Sequence, residues 1–236
     1  MIRLRSLVFN LGMWLTIPPF ALLAILLIPL PAVTRSRIVG SWAHFVMGWL
    51  KLTCGLEYRV IGHENIPNHP CVVLAKHQSA WETIAFQTIF PPQIWVLKRE
   101  LLFIPFFGWA LAALSAIAID RSAGREALKQ LVSQGKKRLQ RGLWVVIFPE
   151  GTRITPGERG KYHIGGAWLA THTNATVVPV AHNAGEFWRK NSLLKRPGSI
   201  TVSIGAPIDA TGMKTDELNR RVEEWIEAEM PRLNTL

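Results

Sequence analysis

Apolar positions follow two rules along this chain, one on either side of residue 55. From Leu7 to Val33 no charged residue occurs, an uncharged run of 27 residues reading LVFNLGMWLTIPPFALLAILLIPLPAV. About 20 apolar residues suffice for a helix to cross a bilayer. Pro18-Pro19 lies inside the run; each proline lacks an N–H and disfavours helix in the residue before it. The pattern predicts a break there, into pieces of about 11 residues that reach only about 17 Å each as helices. A second apolar helix is predicted over Ile38–Leu52, with Trp42, Phe45 and Trp49 at helical spacing on one face. That face suits a core or a membrane equally.

After Gly55 the rule changes to short apolar runs alternating with amphipathic stretches. Leu56–Ile61, Cys71–Ala75, Ile94–Leu97, Ala116–Ile119, Trp144–Phe148, Thr176–Val180 and Ile200–Ile204 read as strands, and CVVLA has the all-apolar look of a fully buried one. Helices are predicted over Trp81–Phe90, Arg125–Arg141, Ile164–Thr173 and Thr215–Met230. Such alternation implies an α/β fold with a mixed, largely buried sheet flanked by helices. The chain thus divides into an N-terminal apolar helical membrane-anchoring segment, residues 1–54, and an α/β domain, 55–236. Functional loops are expected at strand carboxyl ends.

Composition narrows the partners. The formal charge is +11, and half the 236 residues are apolar (49%), with ten Trp. A basic chain attracts polyanions, but this much Trp and apolar surface suits the water interface of an anionic membrane rather than nucleic acid. Arg3 and Arg5 precede the apolar run, as in a secretory signal. The run is longer than the roughly 7–15 residues of a signal's apolar region, and no A-x-A site follows. Arg35 and Arg37 after it balance the first pair, so the positive-inside signal is symmetric. The simplest geometry is a bent, re-entrant insertion with both ends on one face, with a proline-kinked span as the alternative. Cys54 and Cys71 form neither a metal spacing nor a disulfide framework, and read as core residues of a reducing compartment.

Two loops carry candidate chemistry. Lys76-His77-Gln78-Ser79-Ala80-Trp81-Glu82 follows a buried strand. A spacing of five within one helix would hold His77 and Glu82 about 140° apart. They converge only if His77 sits in the loop and Glu82 in the first helical turn. The carboxylate could then hold one ring nitrogen and leave the other free to take a proton from an alcohol. Ser79-Ala80-Trp81-Glu82 is equally a capping box, with Ser79 as N-cap. In the second loop, Phe148-Pro149-Glu150-Gly151-Thr152-Arg153, the glycine permits close backbone approach, the threonine offers a hydroxyl and the arginine a bidentate fork for phosphate. No H-E-x-x-H, Cys/His cluster, G-x-S-x-G elbow or nucleophilic cysteine pattern occurs. Gly157-Glu158-Arg159-Gly160-Lys161 lacks the spacing and the following Ser/Thr of a P-loop.

Together these blocks resemble the 1-acylglycerol-3-phosphate acyltransferase family and its wider glycerolipid acyltransferase superfamily. His77-Gln78-Ser79-Ala80-Trp81-Glu82 is similar to the H-x4-D block, with Glu in place of the usual Asp. Lys98-Arg99-Glu100-Leu101 with Ile104-Pro105-Phe106-Phe107-Gly108-Trp109 resembles the acceptor-binding block. Phe148–Arg153 is similar to the FPEGTR signature, and Val177-Val178-Pro179-Val180 to a fourth block, a strand ending in Pro beside the site.

The resemblance implies transfer of a fatty acyl group from acyl-CoA or acyl carrier protein to the sn-2 hydroxyl of a lysophospholipid acceptor, forming phosphatidic acid, with no cofactor and no metal. His77 would be the general base, oriented by Glu82. Arg153, helped by Lys98 and Arg99, would hold the acceptor phosphate, and Glu150, Gly151 and Thr152 would shape the glycerol pocket. Backbone N–H groups near the 77–82 helix start would stabilise the oxyanion. The resemblance places the domain on the cytoplasmic side of the cell inner membrane. Other acceptors (a lyso-ornithine lipid, glycerol 3-phosphate, another lysophospholipid) remain open, as does a non-enzymatic basic protein that binds membranes or nucleic acid.

Overall fold

The computed structural model describes residues 1–233. Two long helices open the chain, α1 (Ile2–Leu26) and α2 (Ala32–Cys54). The expected break at Pro18-Pro19 does not occur, since both prolines lie inside α1. Packing against α2 outweighs the lost backbone bonds, because tertiary contacts, not local propensity, supply most helical stability in proteins. Trp42 Nε1 donates to Thr16 Oγ1 at 2.9 Å, just before the proline pair. A Cβ on Gly12 would collide with the Trp49 ring, so glycine lets the indole lie against α1. Helix α2 starts earlier than its aromatic spacing suggested and ends on Gly55, whose left-handed backbone (φ 65°) closes it through an N–H bond to Lys51 O.

The α/β part has the predicted class. Its strands are β1 (Leu56–Ile61), β2 (Val72–Ala75), β3 (Gln93–Lys98), β4 (Ile117–Ile119), β5 (Trp144–Ile147), β6 (Thr176–His182), β7 (Gly198–Ile204) and β8 (Ile208–Asp209). They order as β1-β7-β6-β2-β5-β3-β4, with β8 beside β6. The pairs from β6 to β4 are parallel, and β7 turns antiparallel to β6 while running parallel to β1. The helices are α3 (Trp81–Ile89), α4 (Phe107–Ala113), α5 (Arg125–Gln140), α6 (Gly165–Thr173), α7 (Ala184–Phe187) and α8 (Thr215–Leu233).

Alternation along the central strands sends side chains to two cores. Val73, Ala75, Val146, Val178 and Val180 pack with α2 and α3 through Val46, Leu50, Trp81 and Phe86. Val72, Leu74, Val145, Ile147 and Val177 pack with α5, α6 and α8 through Leu131, Leu169, Leu218 and Ile226. Phe9 of α1 belongs to the first core. Residues 1–54 are therefore built into the α/β domain, not appended to it. Because β2, β5 and β3 are adjacent and parallel, their carboxyl ends, with His77, the 148–153 loop and Lys98, share one sheet edge.

Candidate active site

His77 lies in the loop after β2 and Glu82 in the first turn of α3, the arrangement convergence requires. His77 Nδ1 is 2.8 Å from Glu82 Oε1. The same oxygen accepts the N–H groups of Gln78 at 2.9 Å and Ser79 at 2.8 Å. One atom thus makes both the capping contact and the histidine contact, and the two readings of Glu82 coexist. The other half of the box is altered: Ser79 Oγ accepts from Trp81 N–H at 3.1 Å. Glu82 is fully buried while the His77 side chain stays 14% exposed. Burial pushes the Glu82 carboxyl up, but His182, His77 and the Ser79 N–H outweigh it and hold the group below the usual carboxylate range. With Nδ1–H donated to a carboxylate, Nε2 is the basic nitrogen. The ring stacks on Phe148, centroids 4.1 Å apart and planes 14° from parallel.

The 148–153 loop holds the histidine's main chain from both sides. His77 N–H donates to Glu150 Oε2 at 3.1 Å, and Ile154 N–H donates to His77 O at 2.7 Å. Gly151, at φ 67°, makes the tight turn with its N–H on Phe148 O.

Glu150, to which the resemblance gave a part in shaping the glycerol pocket, points inward. It is buried beneath His77, its Oε1 3.2 Å from Lys76 Nζ. Lys76, also buried, donates to Glu227 Oε1 of α8 at 2.7 Å, and Tyr162 OH donates to the same oxygen at 2.8 Å. Burial pushes the Glu150 carboxyl up to about 7; Lys76 opposes the shift, and Glu227 adds to it. Loss of water around the carboxyl is thus the main reason that it favours its proton, and the Glu227 charge adds the least.

The cations expected at the phosphate sit differently. Arg153 is half-buried; its carbonyl accepts Lys190 Nζ at 3.3 Å. No described residue forms an ion pair or hydrogen bond with its guanidinium. Thr152 is exposed. Lys98 is exposed at the end of β3, two strands from His77, and the equally exposed Arg99 turns toward Asp120, 3.6 Å away. The amides expected for an oxyanion are largely committed, with Gln78 and Ser79 bound to Glu82 and Trp81 to Ser79. The fourth block is not a strand ending in Pro. Strand β6 runs past Pro179 to His182, which is fully buried beside Glu82 and was not singled out in the sequence.

Comparison with known proteins places these features. The Acyltransferase family model matches residues 57–183, which contain the histidine loop, the 148–153 loop and His182. The chain is 48% identical over 211 residues to a 1-acyl-sn-glycerol-3-phosphate acyltransferase of Pseudomonas aeruginosa, covering 88% of this chain and 82% of that one. It is 31% identical over 186 residues to the protein of the same name from Saccharomyces cerevisiae, covering 74% of this chain and 59% of the yeast one. In fold it matches the crystal structure of the 1-acyl-sn-glycerophosphate (LPA) acyltransferase PlsC from Thermotoga maritima, with a TM-score of 0.82 at 23% identity, over 100% of this chain and 97% of that one.

Proposed function

The chain belongs to the acyltransferase family, and we propose that it moves a fatty acyl group from a thioester to the sn-2 hydroxyl of 1-acylglycerol 3-phosphate, forming phosphatidic acid. The observation that carries this is the His77–Glu82 pair, 2.8 Å apart, with the other ring nitrogen unpaired among the described residues. His77 Nε2 takes the hydroxyl proton as the oxygen attacks the thioester carbonyl. Glu82 stabilises the imidazolium that forms. The tetrahedral intermediate collapses, the C–S bond breaks, and the imidazolium returns the proton to the departing thiolate. No acyl-enzyme is needed. Arg153, with no carboxylate partner among the described residues, is suited to the acceptor phosphate, with Lys98 as a further cation on the same edge.

The donor is acyl-CoA or acyl carrier protein. The test incubates the purified full chain in anionic vesicles with 1-acylglycerol 3-phosphate and each labelled donor, with lyso-ornithine lipid and glycerol 3-phosphate as competitors. Label should appear in phosphatidic acid. Label in another lipid alone, or in none, refutes the reading.

The way α1 is docked supports attachment to one leaflet of the membrane. Its 25 residues amount to about 37 Å of helix, long enough to span. Yet both ends are fastened to the domain. Near the start, Ser6 Oγ accepts Lys195 N–H at 2.9 Å, and Asn10 Nδ2 donates to Leu193 O at 3.0 Å. Near the end, Ala24 packs on Ala113, and Arg35, just past the turn, donates to Ser115 Oγ at 3.1 Å. A helix strapped along a domain cannot also be ringed by lipid. Its outer face, with Leu4, Leu7, Leu11, Trp14, Leu15, Leu22 and Leu26 exposed, would lie in one leaflet. Both ends then stay on the cytoplasmic side of the inner membrane, where the acyl thioesters are. Arg3→Cys provides the check. Cys54 and Cys71 are buried, so the new thiol is the reactive one. An impermeant reagent should label it in cells only after permeabilisation. Labelling of intact cells would mean that α1 spans.

A further inference from the structure

We infer that His182 is a positioning residue of the acyl-transfer site, acting through its Nε2–H on the Lys76 carbonyl and on the second oxygen of Glu82. The inference rests on the reading of His77 and Glu82 given above.

His182 ends β6 and is fully buried. Its tautomer is set by its neighbours. Ala184 N–H donates to Nδ1 at 3.3 Å, which leaves the proton on Nε2. Nε2 lies 2.8 Å from Lys76 O, the carbonyl of the peptide that ends in the His77 nitrogen. It is also 4.0 Å from Glu82 Oε2. That separation is too long for a hydrogen bond but close enough for the N–H dipole to favour a carboxylate inside the protein.

Glu82 Oε2 has no hydrogen-bond partner among the described residues, whereas Oε1 has three. A buried carboxylate oxygen without a donor is costly, and the His182 N–H dipole at 4.0 Å offsets part of that cost. Trp81 and Phe86 pack around its ring, centroids 6.2 and 6.0 Å away. Burial favours the neutral imidazole, against the pull of Glu82. A neutral ring is what the position requires, since it must accept from Ala184 and donate toward Lys76 at once.

The peptide before His77 is thereby held at every polar atom. Lys76 N–H donates to Val180 O at 2.9 Å, Lys76 O accepts from His182, and His77 N–H donates to Glu150. Losing the His182 contact frees the carbonyl side and removes the N–H dipole that faces Glu82 Oε2. The His77 ring then loses its alignment with the acceptor hydroxyl, and catalysis falls with substrate binding intact.

The experiment compares His182→Gln, His182→Asn and His182→Phe in the full chain in anionic vesicles, with His77→Ala in parallel. Glutamine can place an amide N–H where Nε2 stands; asparagine is too short, and phenylalanine has no donor. Glutamine should keep kcat within about threefold, while asparagine and phenylalanine lower it about 10-fold or more, with the KM values of acceptor and donor unchanged. If the phenylalanine variant does not fold, the Gln–Asn contrast decides. The inference falls if asparagine turns over like wild type, if glutamine loses as much as asparagine, or if the loss lies in KM. Should His77→Ala itself stay active, the underlying reading of the site has failed instead.

Discussion

The two halves of the site are built oppositely. On the proton side, Glu82 is fully buried, one of its oxygens takes three hydrogen bonds, and the His77 backbone is held at N–H and C=O. On the side proposed to take the phosphate, Arg153 is half-buried with its guanidinium unpaired among the described residues, and Lys98 stands in solvent. The difference follows from what each half must do. A general base works only in near-attack geometry, so its orientation has to be set before substrate arrives. A phosphate supplies its own charge and can order a flexible cation as it binds. The proton half should therefore respond to substitution in kcat, and the phosphate half in KM.

The largest effect should come from His77→Ala. With the base removed, kcat should drop by about 10²–10⁴-fold while the melting temperature changes little, since the ring is a partly exposed side chain stacked on Phe148. Near-normal turnover in a folded variant would remove His77 from the chemistry. Glu82→Gln comes next and is the sharper probe. An amide oxygen in the place of Oε1 can still accept the Gln78 and Ser79 N–H groups, so the helix start is preserved. What disappears is the negative charge that stabilises the imidazolium. About 100-fold lower kcat at unchanged KM is expected, on the scale of general-base effects. Loss of stability with normal specific activity would leave Glu82 as a cap alone.

Arg153→Lys addresses the other half. Lysine keeps the charge and loses the bidentate fork, so the acceptor KM should rise about 10-fold, on the scale of one charge-assisted hydrogen bond. Donor KM and kcat should stay close to wild type. An equal rise in both KM values would place Arg153 outside the acceptor site and would erase the contrast between the halves.

Much of this arrangement was legible in the chain. Short all-apolar runs such as VVLA and WVVI between turn signals read as central strands, and convergence of His77 with Glu82 five residues on called for the loop-to-helix geometry that is found. Three features were not legible. The proline pair predicted a broken α1, because local rules cannot weigh a partner helix that begins after it. Helix α4 was hidden in a stretch with Pro105 and Gly108, opened by Phe106 at φ 60°, where residue preferences point away from helix. The resemblance gave Glu150 a role in the glycerol pocket, and strand alternation, which gives out at the turn, could not show which way its side chain points. Its inward direction is set by Lys76 and by Glu227 of α8, 77 residues further along the chain and unmarked by any local pattern.

That inward placement carries the last and smallest prediction, which concerns the foundation under the proton half. The Glu150 carboxyl is raised in the fold from 4.5 to about 7. Between those two values the folded protein binds a proton that the unfolded chain has lost, so this group favours the folded state most below about pH 4.5. The contribution is lost as pH rises through about 7. Glu150→Gln cannot titrate, yet its amide oxygen can still accept His77 N–H. Melting curves at pH 5 and pH 8 should therefore show the wild type gaining on the variant at pH 5 and falling back at pH 8, by a few degrees. Activity at pH 5 should be similar in the two proteins, because both then present an uncharged group beneath the histidine. A difference in melting temperature that is flat across the window would mean that Lys76 keeps Glu150 ionised. The buried cluster would then be a charged support, not a protonated one.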